Sequence, residues 1–207
     1  KSKAGYNKMM KLLEKAQLVS VDRPGYGKSG FGAWESSLIT QVQLIHKTFS
    51  HASDAQPILV AGHSYGGPIA ARLAMEYPDK VSGLIMVAPS IDPDLEKHQW
   101  YQRAAKSWFI RWALPKDLRV ANEEIWPLRN ELQKQAGLWQ NIQCPVTVLQ
   151  GTEDRLVPAG NANYAQKKLQ HLQPPPNIFL LEGVDHFIPW SHPEIMGETI
   201  LNMLPSL

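Results

Sequence analysis

A serine between glycines is the residue of this sequence that is best placed to do chemistry. Ser64 lies in the motif GHSYGG, between the apolar run PILVAG and the helical pattern PIAARLAMEY. A strand that turns sharply into a helix leaves little space, so Gly62 and Gly66 fit the steric requirement of a G-x-S-x-G nucleophile elbow. Backbone N–H groups at the helix N-terminus would stabilise negative charge that develops beside Ser64. The alternative interpretation is a glycine-rich turn in which the serine has no catalytic role.

A serine nucleophile needs a general base, and the base needs an acid that orients it. Two later segments supply these residue types in the chain order Ser, Asp or Glu, His. The segment GTEDRLVP contains Glu153 and Asp154, and the segment VDHF contains Asp185 and His186. Both follow apolar runs, so we expect them beside Ser64 at the C-terminal edge of a parallel sheet, where such folds bind ligands.

Short β-branched runs and the helical patterns between them predict the elements that position these residues. The runs are too short for helices, and each ends in a loop residue. Strands are predicted at residues 17–22, 57–62, 81–88, 145–151 and 177–183. Helices are predicted at residues 6–15, 34–49, 66–77 and 193–204. This alternation predicts an α/β fold with a mostly parallel sheet and helices on both faces.

Four segments taken together resemble the α/β-hydrolase fold family, in the order in which that family carries them. They are DRPGYGKS at residues 22–29, GHSYGG at 62–67, GTEDRLVP at 151–158 and GVDHFIPW at 183–190. The combination is much more specific than any one of its parts. The resemblance extends from about residue 4 to the end of the chain and implies the α/β-hydrolase fold.

The resemblance implies a role for each candidate site residue. Ser64 would be the nucleophile, Asp154 the acid and His186 the base, and Tyr65 would donate its backbone N–H to the oxyanion. The family pattern places the acid three residues after the glycine of GTED, which favours the aspartate over the glutamate beside it. Asp185 is expected to point elsewhere. No cofactor is implied, and no metal site either, since no histidine pair has the spacing of a motif such as HExxH.

Residues 91–143 interrupt the alternation with a helical stretch that contains no strand pattern. In the resembled family this stretch would be a lid inserted between two parts of the core, residues 1–90 and 144–207. Its tryptophans would either roof the substrate or pack the lid onto the core, and indole N–H groups need partners in both cases. The candidate pocket residues are Trp100, Trp108, Trp112, Phe187 and Trp190.

The resemblance implies a serine hydrolase that cleaves a carboxylic ester of a small to medium apolar substrate through an acyl-enzyme. A serine in the nucleophile position argues against family members that need an aspartate there. Hydrolysis of a C–C, thioester or amide bond stays open. The alternative from another class is a non-catalytic ligand-binding protein with the same fold.

Composition excludes several other classes of function. The 207 residues carry a net charge of +2, which provides no strong field for nucleic acid. A single cysteine excludes an intramolecular disulfide and a thiolate zinc site. No apolar run approaches the roughly 18 residues of a membrane span, so no stable membrane insertion is expected. The GKS of DRPGYGKS imitates a phosphate-binding loop, but Asp22 occupies the position of its first glycine and Pro24 lacks an N–H donor.

The family obtains a second oxyanion donor from a loop after an earlier strand, often with a His-Gly pair. No such segment follows the first residues, KSKAGY. We therefore expect that further strands precede Lys1 in the protein, with a naturally shortened member as the alternative. Loss of one oxyanion donor costs on the order of 10²–10³ in rate.

Overall fold

One parallel sheet organises the part of the chain that the computed structural model describes, namely residues 18–29, 34–49, 58–97, 107, 112 and 114–204. The strands are β1 (Ile58–His63), β2 (Val81–Val87), β3 (Val146–Gly151) and β4 (Asn177–Leu181). They pair in the order β1-β2-β3-β4, and every pairing is parallel. Because the strands are parallel, their C-terminal ends meet at a single edge of the sheet. Parallel neighbours also need crossover connections.

Helices supply these connections and also precede β1 and follow β4. They are α1 (Leu38–Phe49), α2 (Gly66–Glu76), α3 (Lys116–Ile125), α4 (Leu128–Gln135), α5 (Gly160–Lys168), α6 (Ile188–Ser191) and α7 (Pro193–Met203). Helix α2 connects β1 to β2, α3 and α4 lie between β2 and β3, and α5 connects β3 to β4. No helix in the described ranges combines the length and the apolar character needed to cross a bilayer.

Alternate residues of β2 enter two separate hydrophobic cores, as expected because successive side chains of a strand point to opposite faces. Leu84 and Met86 join a cluster that includes buried residues of α1, α2 and α5. Ile85 and Val87 join a second cluster with buried residues of α6 and α7. The predicted fold class is therefore confirmed: helices cover both faces of a parallel sheet.

Most predicted elements agree closely with the structure. The strands at 57–62, 81–88, 145–151 and 177–183 and the helices at 66–77 and 193–204 are present, with ends shifted by one or two residues. The helix predicted at 34–49 begins four residues later, at Leu38. Helix α5 was not predicted, because its sequence GNANYAQKK buries little apolar surface beyond Ala162 and Ala165. The helix predicted at 6–15 lies outside the described residues.

The strand predicted at residues 17–22 is wrong over its described part, residues 18–22. Leu18 and Val19 are 44% and 60% exposed, and no strand of the described chain pairs with this segment. A strand is stable only when a neighbour satisfies its backbone N–H and C=O groups. The β-branched composition of QLVSVD was therefore not sufficient to make it a strand.

The described part of residues 91–143 is helical and contains no strand, as predicted. Its side chains Leu128, Leu132, Trp139 and Ile142 are buried and belong to the same core cluster as α2. Hydrophobic packing therefore attaches this segment to the sheet domain. Its description as a lid between residues 1–90 and 144–207 stays a prediction.

Candidate active site

Ser64 occupies a sharp turn between β1 and α2. Its backbone has φ 54°, a left-handed conformation that is uncommon for a residue with a Cβ. Hydrogen bonds to both backbone groups of Ser64 hold this conformation. Its N–H donates to Val87 O at 2.9 Å, and its carbonyl accepts from Gly67 N at 2.9 Å. The turn is thus pinned to the end of the neighbouring strand β2.

Two glycines are required for this turn, but they are not the expected pair. A Cβ on Gly62 would lie 2.1 Å from Gly66 O, and a Cβ on Gly67 would lie 2.5 Å from the Cβ of Pro89. A Cβ on Gly66 would meet nothing within 4 Å. The prediction that Gly66 is needed for steric reasons is therefore wrong, since the helix presents its backbone and not an absent side chain to Gly62.

Gly62 and Gly66 are expected to differ in their response to substitution by alanine. Gly62→Ala should lower the free energy of unfolding by about 1–3 kcal/mol, because the new methyl group overlaps a fixed carbonyl. Gly66→Ala is the matched control and should change that free energy by less than about 1 kcal/mol. Urea unfolding of both variants measures the difference. Equal stabilities would show that the helix start can move away from β1.

Asp154 follows β3 and is held by hydrogen bonds to both carboxylate oxygens. Its Oδ1 accepts from Leu156 N at 2.9 Å and from Val157 N at 2.8 Å. Its Oδ2 accepts from His186 Nδ1 at 2.7 Å. Burial alone would raise the pKa of Asp154, but the hydrogen bonds from His186, Val157 and Leu156 outweigh burial and lower this pKa. The carboxyl group is therefore ionised at neutral pH.

The sequence did not identify one partner of this carboxylate. Gln150 is fully buried in β3, and its Nε2 lies 3.3 Å from both Asp154 Oδ2 and Val157 O. The available signal was a polar residue within the apolar run PVTVLQG. Gln150 therefore stabilises the loop that carries Asp154.

The two competing acids point elsewhere. Glu153 is exposed and uses its backbone N–H to bind Val184 O at 3.0 Å. Asp185 is also exposed, and its Oδ1 accepts from Phe187 N at 2.9 Å. Neither side chain carries a hydrogen bond to His186 among those of the described residues.

The loops that carry the acid and the histidine contact each other directly. A Cβ on Gly151 would lie 2.2 Å from Val184 O, so only glycine allows the end of β3 to approach the His186 loop this closely. The Gly183 N–H donates to Thr152 Oγ1 at 3.0 Å and closes the same interface. Because of this contact, Asp154 and His186 meet although 32 residues separate them.

His63 connects the Ser64 turn to the histidine loop. Its Nε2 donates to the backbone carbonyl of His186 at 2.9 Å, and the two rings lie 4.7 Å apart between centroids. Burial lowers the pKa of His63, and the hydrogen bond to the His186 carbonyl only partly opposes this effect. A neutral His63 therefore holds the backbone that carries the His186 ring.

Ser64, Tyr65 and His186 thus share the C-terminal edge of the sheet. The hydroxyl of Ser64 forms no hydrogen bond with His186 among the contacts of the described residues. Such bonds are often long before substrate binds. The Tyr65 N–H lies at the start of α2 and has no acceptor among the described residues.

Comparison with known proteins places this arrangement in a family. The sequence profile described as the alpha/beta hydrolase family matches residues 4–198. The chain belongs to the alpha/beta hydrolase family. This membership confirms the resemblance that the four motifs carry.

Curated relatives of this alpha/beta hydrolase include three ester hydrolases by name. Lipase LipV of Mycobacterium tuberculosis is 25% identical over 73% of the chain, and the match spans only 52% of LipV. Pimeloyl-[acyl-carrier protein] methyl ester esterase of Proteus mirabilis is 29% identical, over 90% of the chain and 82% of the relative. The human monoacylglycerol lipase ABHD6 is 23% identical, over 92% of the chain and 68% of the relative.

Solved structures share the fold of this alpha/beta hydrolase. The monoacylglycerol lipase of Paleococcus ferrophilus has a TM-score of 0.70 at 19% identity, over 97% of the chain and 90% of its own. A lipase-esterase related protein of Clostridium acetobutylicum has a TM-score of 0.71 at 16% identity, over 97% of the chain and 88% of its own. At these identities the likeness shows the fold alone.

Two of the five predicted pocket residues of this alpha/beta hydrolase lie beside the candidate site. Phe187 and Trp190 are 50% and 48% exposed, and their rings lie 5.6 Å from the His186 ring and 5.3 Å from the His63 ring. Trp112 is 85% exposed. Trp100 and Trp108 lie outside the described residues. No cluster of three or more potential metal ligands occurs within the described ranges.

Proposed function

We propose that this alpha/beta hydrolase cleaves carboxylic esters with Ser64 as nucleophile, His186 as general base and Asp154 as the acid that orients the base. The observation that carries the proposal is the 2.7 Å hydrogen bond between His186 Nδ1 and Asp154 Oδ2 at the sheet edge that holds Ser64. A carboxylate that accepts from Nδ1 leaves Nε2 unprotonated, which is the tautomer a general base needs.

The proposed reaction proceeds through an acyl-enzyme. Ser64 Oγ attacks the ester carbonyl while His186 Nε2 takes its proton, and the Tyr65 N–H donates to the resulting oxyanion. The tetrahedral intermediate collapses as the imidazolium returns the proton to the leaving alcohol. Water then attacks the acyl group with His186 again as base, and the acid product leaves with Ser64 restored.

The proposed substrate is a small-molecule ester with a small to medium apolar acyl part. Phe187 and Trp190 support this choice, because they place exposed aromatic surface within contact distance of the two histidines. The relatives named above are a lipase, a methyl ester esterase and a monoacylglycerol lipase, all of which by name act on esters. Residues 91–143 are proposed as the lid that completes the pocket.

A fluorophosphonate probe is the direct test of the proposal. Phosphonylation requires an activated serine, so the folded wild-type protein should be labelled at Ser64, as located by peptide mass spectrometry. The heat-denatured protein is the control and should not react. A panel of esters, thioesters and amides with matched acyl groups then identifies the bond that is cleaved. A folded protein that resists the probe and leaves every ester intact would favour the non-catalytic ligand-binding alternative.

A further inference from the structure

A cluster of polar side chains, in which Gln41 and Glu124 are fully buried, contacts the side chain of Tyr65 and is not used by the proposed reaction. Arg23 Nη1 donates to Gln41 Oε1 at 3.1 Å and also forms an ion pair with Glu124. Tyr26 donates its hydroxyl to Glu124 Oε2 at 2.7 Å. We call Arg23, Tyr26, Gln41, Tyr65 and Glu124 the polar cluster.

The side chain of Tyr65 is the part of the polar cluster nearest the reaction. Gln41 Nε2 donates to the Tyr65 hydroxyl at 3.3 Å, and Arg23 Cζ lies 4.8 Å from the centre of the Tyr65 ring. A guanidinium at this distance attracts the face of the ring. Arg23 and Gln41 therefore help to position the ring, together with Ser36 O, which accepts from the Tyr65 hydroxyl at 3.5 Å, and both side chains also contact Glu124.

Glu124 organises the polar cluster because its carboxylate can only accept hydrogen bonds. It is 1% exposed and accepts from Arg23, from Tyr26 and, at 3.4 Å, from Gln41 Nε2. Removal of this carboxylate would leave the Arg23 guanidinium partly buried without its counter-charge, and such a group moves toward water. Movement of Arg23 would release the face of the Tyr65 ring.

The position of the Tyr65 ring affects the candidate oxyanion donor because both belong to one residue. The Tyr65 N–H belongs to the peptide that joins Ser64 to Tyr65, so a shift of the Tyr65 Cα also moves this N–H. Glu124 lies on α3, within the segment proposed as the lid. A side chain of that segment is thus connected, through Arg23 and Gln41, to the residue after the nucleophile.

We propose that Glu124 is a positioning residue, which acts through Arg23 and Gln41 to hold Tyr65 and its backbone N–H in place for the oxyanion. The inference rests on the proposed esterase function. It assigns to the segment between β2 and β3 a role in the rate of the chemical step, in addition to any role in binding substrate.

The test compares two buried carboxylates of the same segment. Glu131 is the matched control: it is 7% exposed, lies on α4 and accepts from the Leu38 N–H at 3.0 Å, but it makes no hydrogen bond to the polar cluster among the described residues. Glu124→Gln should lower kcat by about tenfold to a hundredfold with KM nearly unchanged, because a displaced donor weakens only the transition state. Glu131→Gln should leave kcat close to that of wild type even where its thermal stability falls.

The rate of fluorophosphonate labelling at Ser64 provides a second readout that does not depend on the choice of ester. It should fall for Glu124→Gln in proportion to kcat and stay at the wild-type rate for Glu131→Gln. Wild-type kcat in a folded Glu124→Gln protein would overturn the proposal. Equal losses of kcat in the Glu124 and Glu131 variants would also overturn it. That result would show that kcat depends on how firmly the whole segment is attached and not on Glu124 itself.

Tyr65→Phe decides the question if Glu124→Gln does not fold. This variant removes the hydroxyl that accepts from Gln41 and donates to Ser36 O, and it should lower kcat several-fold at constant KM. An unchanged kcat would overturn the proposal. Failure of the proposed function is distinguishable from all these results, because the wild-type protein itself would then resist labelling and leave the esters intact.

Discussion

Ser64→Ala should lower kcat for ester hydrolysis by about 10⁶-fold, the order of the loss seen when the serine nucleophile is removed from a comparable triad. The reason is that the acyl-enzyme of the proposed reaction forms on the Ser64 Oγ, which alanine lacks. Labelling by the fluorophosphonate probe should disappear at the same time. Both quantities are measured on the folded variant, with circular dichroism as the check on structure.

Ser90→Ala is the control for this variant. The Ser90 backbone N–H donates to Ser64 O at 3.3 Å, so the control residue lies beside the same turn, but its hydroxyl bonds to Glu96. Its removal should leave labelling and turnover in place. Turnover that survives in Ser64→Ala, or disappears only in Ser90→Ala, would contradict the assignment of the nucleophile.

Asp154→Asn should lower kcat by about 10⁴-fold with a much smaller effect on KM. An amide in place of the carboxylate can donate to Nδ1, which favours the tautomer that carries its proton on Nε2 and cannot act as a base. The loop should keep its shape, because the remaining carbonyl oxygen can still accept from the Leu156 and Val157 N–H groups. Steady-state kinetics of the purified variant measure the effect.

The two neighbouring acids are matched controls for Asp154→Asn. Glu153→Gln and Asp185→Asn make the same change of carboxylate to amide within the same pair of loops, and both side chains are exposed. Each should retain kcat within a few-fold of wild type. A loss of about 10⁴-fold in either control would show that this residue, and not Asp154, is the acid.

The sequence predicts the meeting of Asp154 and His186 because parallel strands deliver their C-terminal loops to one edge. Strand direction does not decide which of Glu153, Asp154 and Asp185 contacts His186, since this depends on how the GTED loop turns. That loop buries Asp154 and leaves Glu153 exposed, and only the family pattern anticipated this outcome. Gln150 was within reach of sequence reasoning as a polar residue in an apolar run.

Other features had no usable signal in the sequence. Glu124 lies in the helical pattern KDLRVANEEI, where its spacing is equally compatible with a solvated face. Its burial depends on Arg23, which is 101 residues away in the chain. The steric requirement for glycine was predicted at Gly66, but it lies at Gly67. Nothing in the sequence indicated this, because the space beside Gly67 is occupied by Pro89 from another loop.

The contact between the two loops at Gly151 has a thermodynamic consequence for the proposed reaction. The Glu153 N–H and the Thr152 N–H donate to Val184 O and Leu181 O, both at 3.0 Å, so the acid and the base belong to a single cross-linked unit. The entropy needed to orient the imidazole is therefore lost once, when the chain folds, and not again in each turnover. Only the Ser64 side chain and the substrate carbonyl must still be oriented in each turnover, and the binding of substrate provides the free energy for this step.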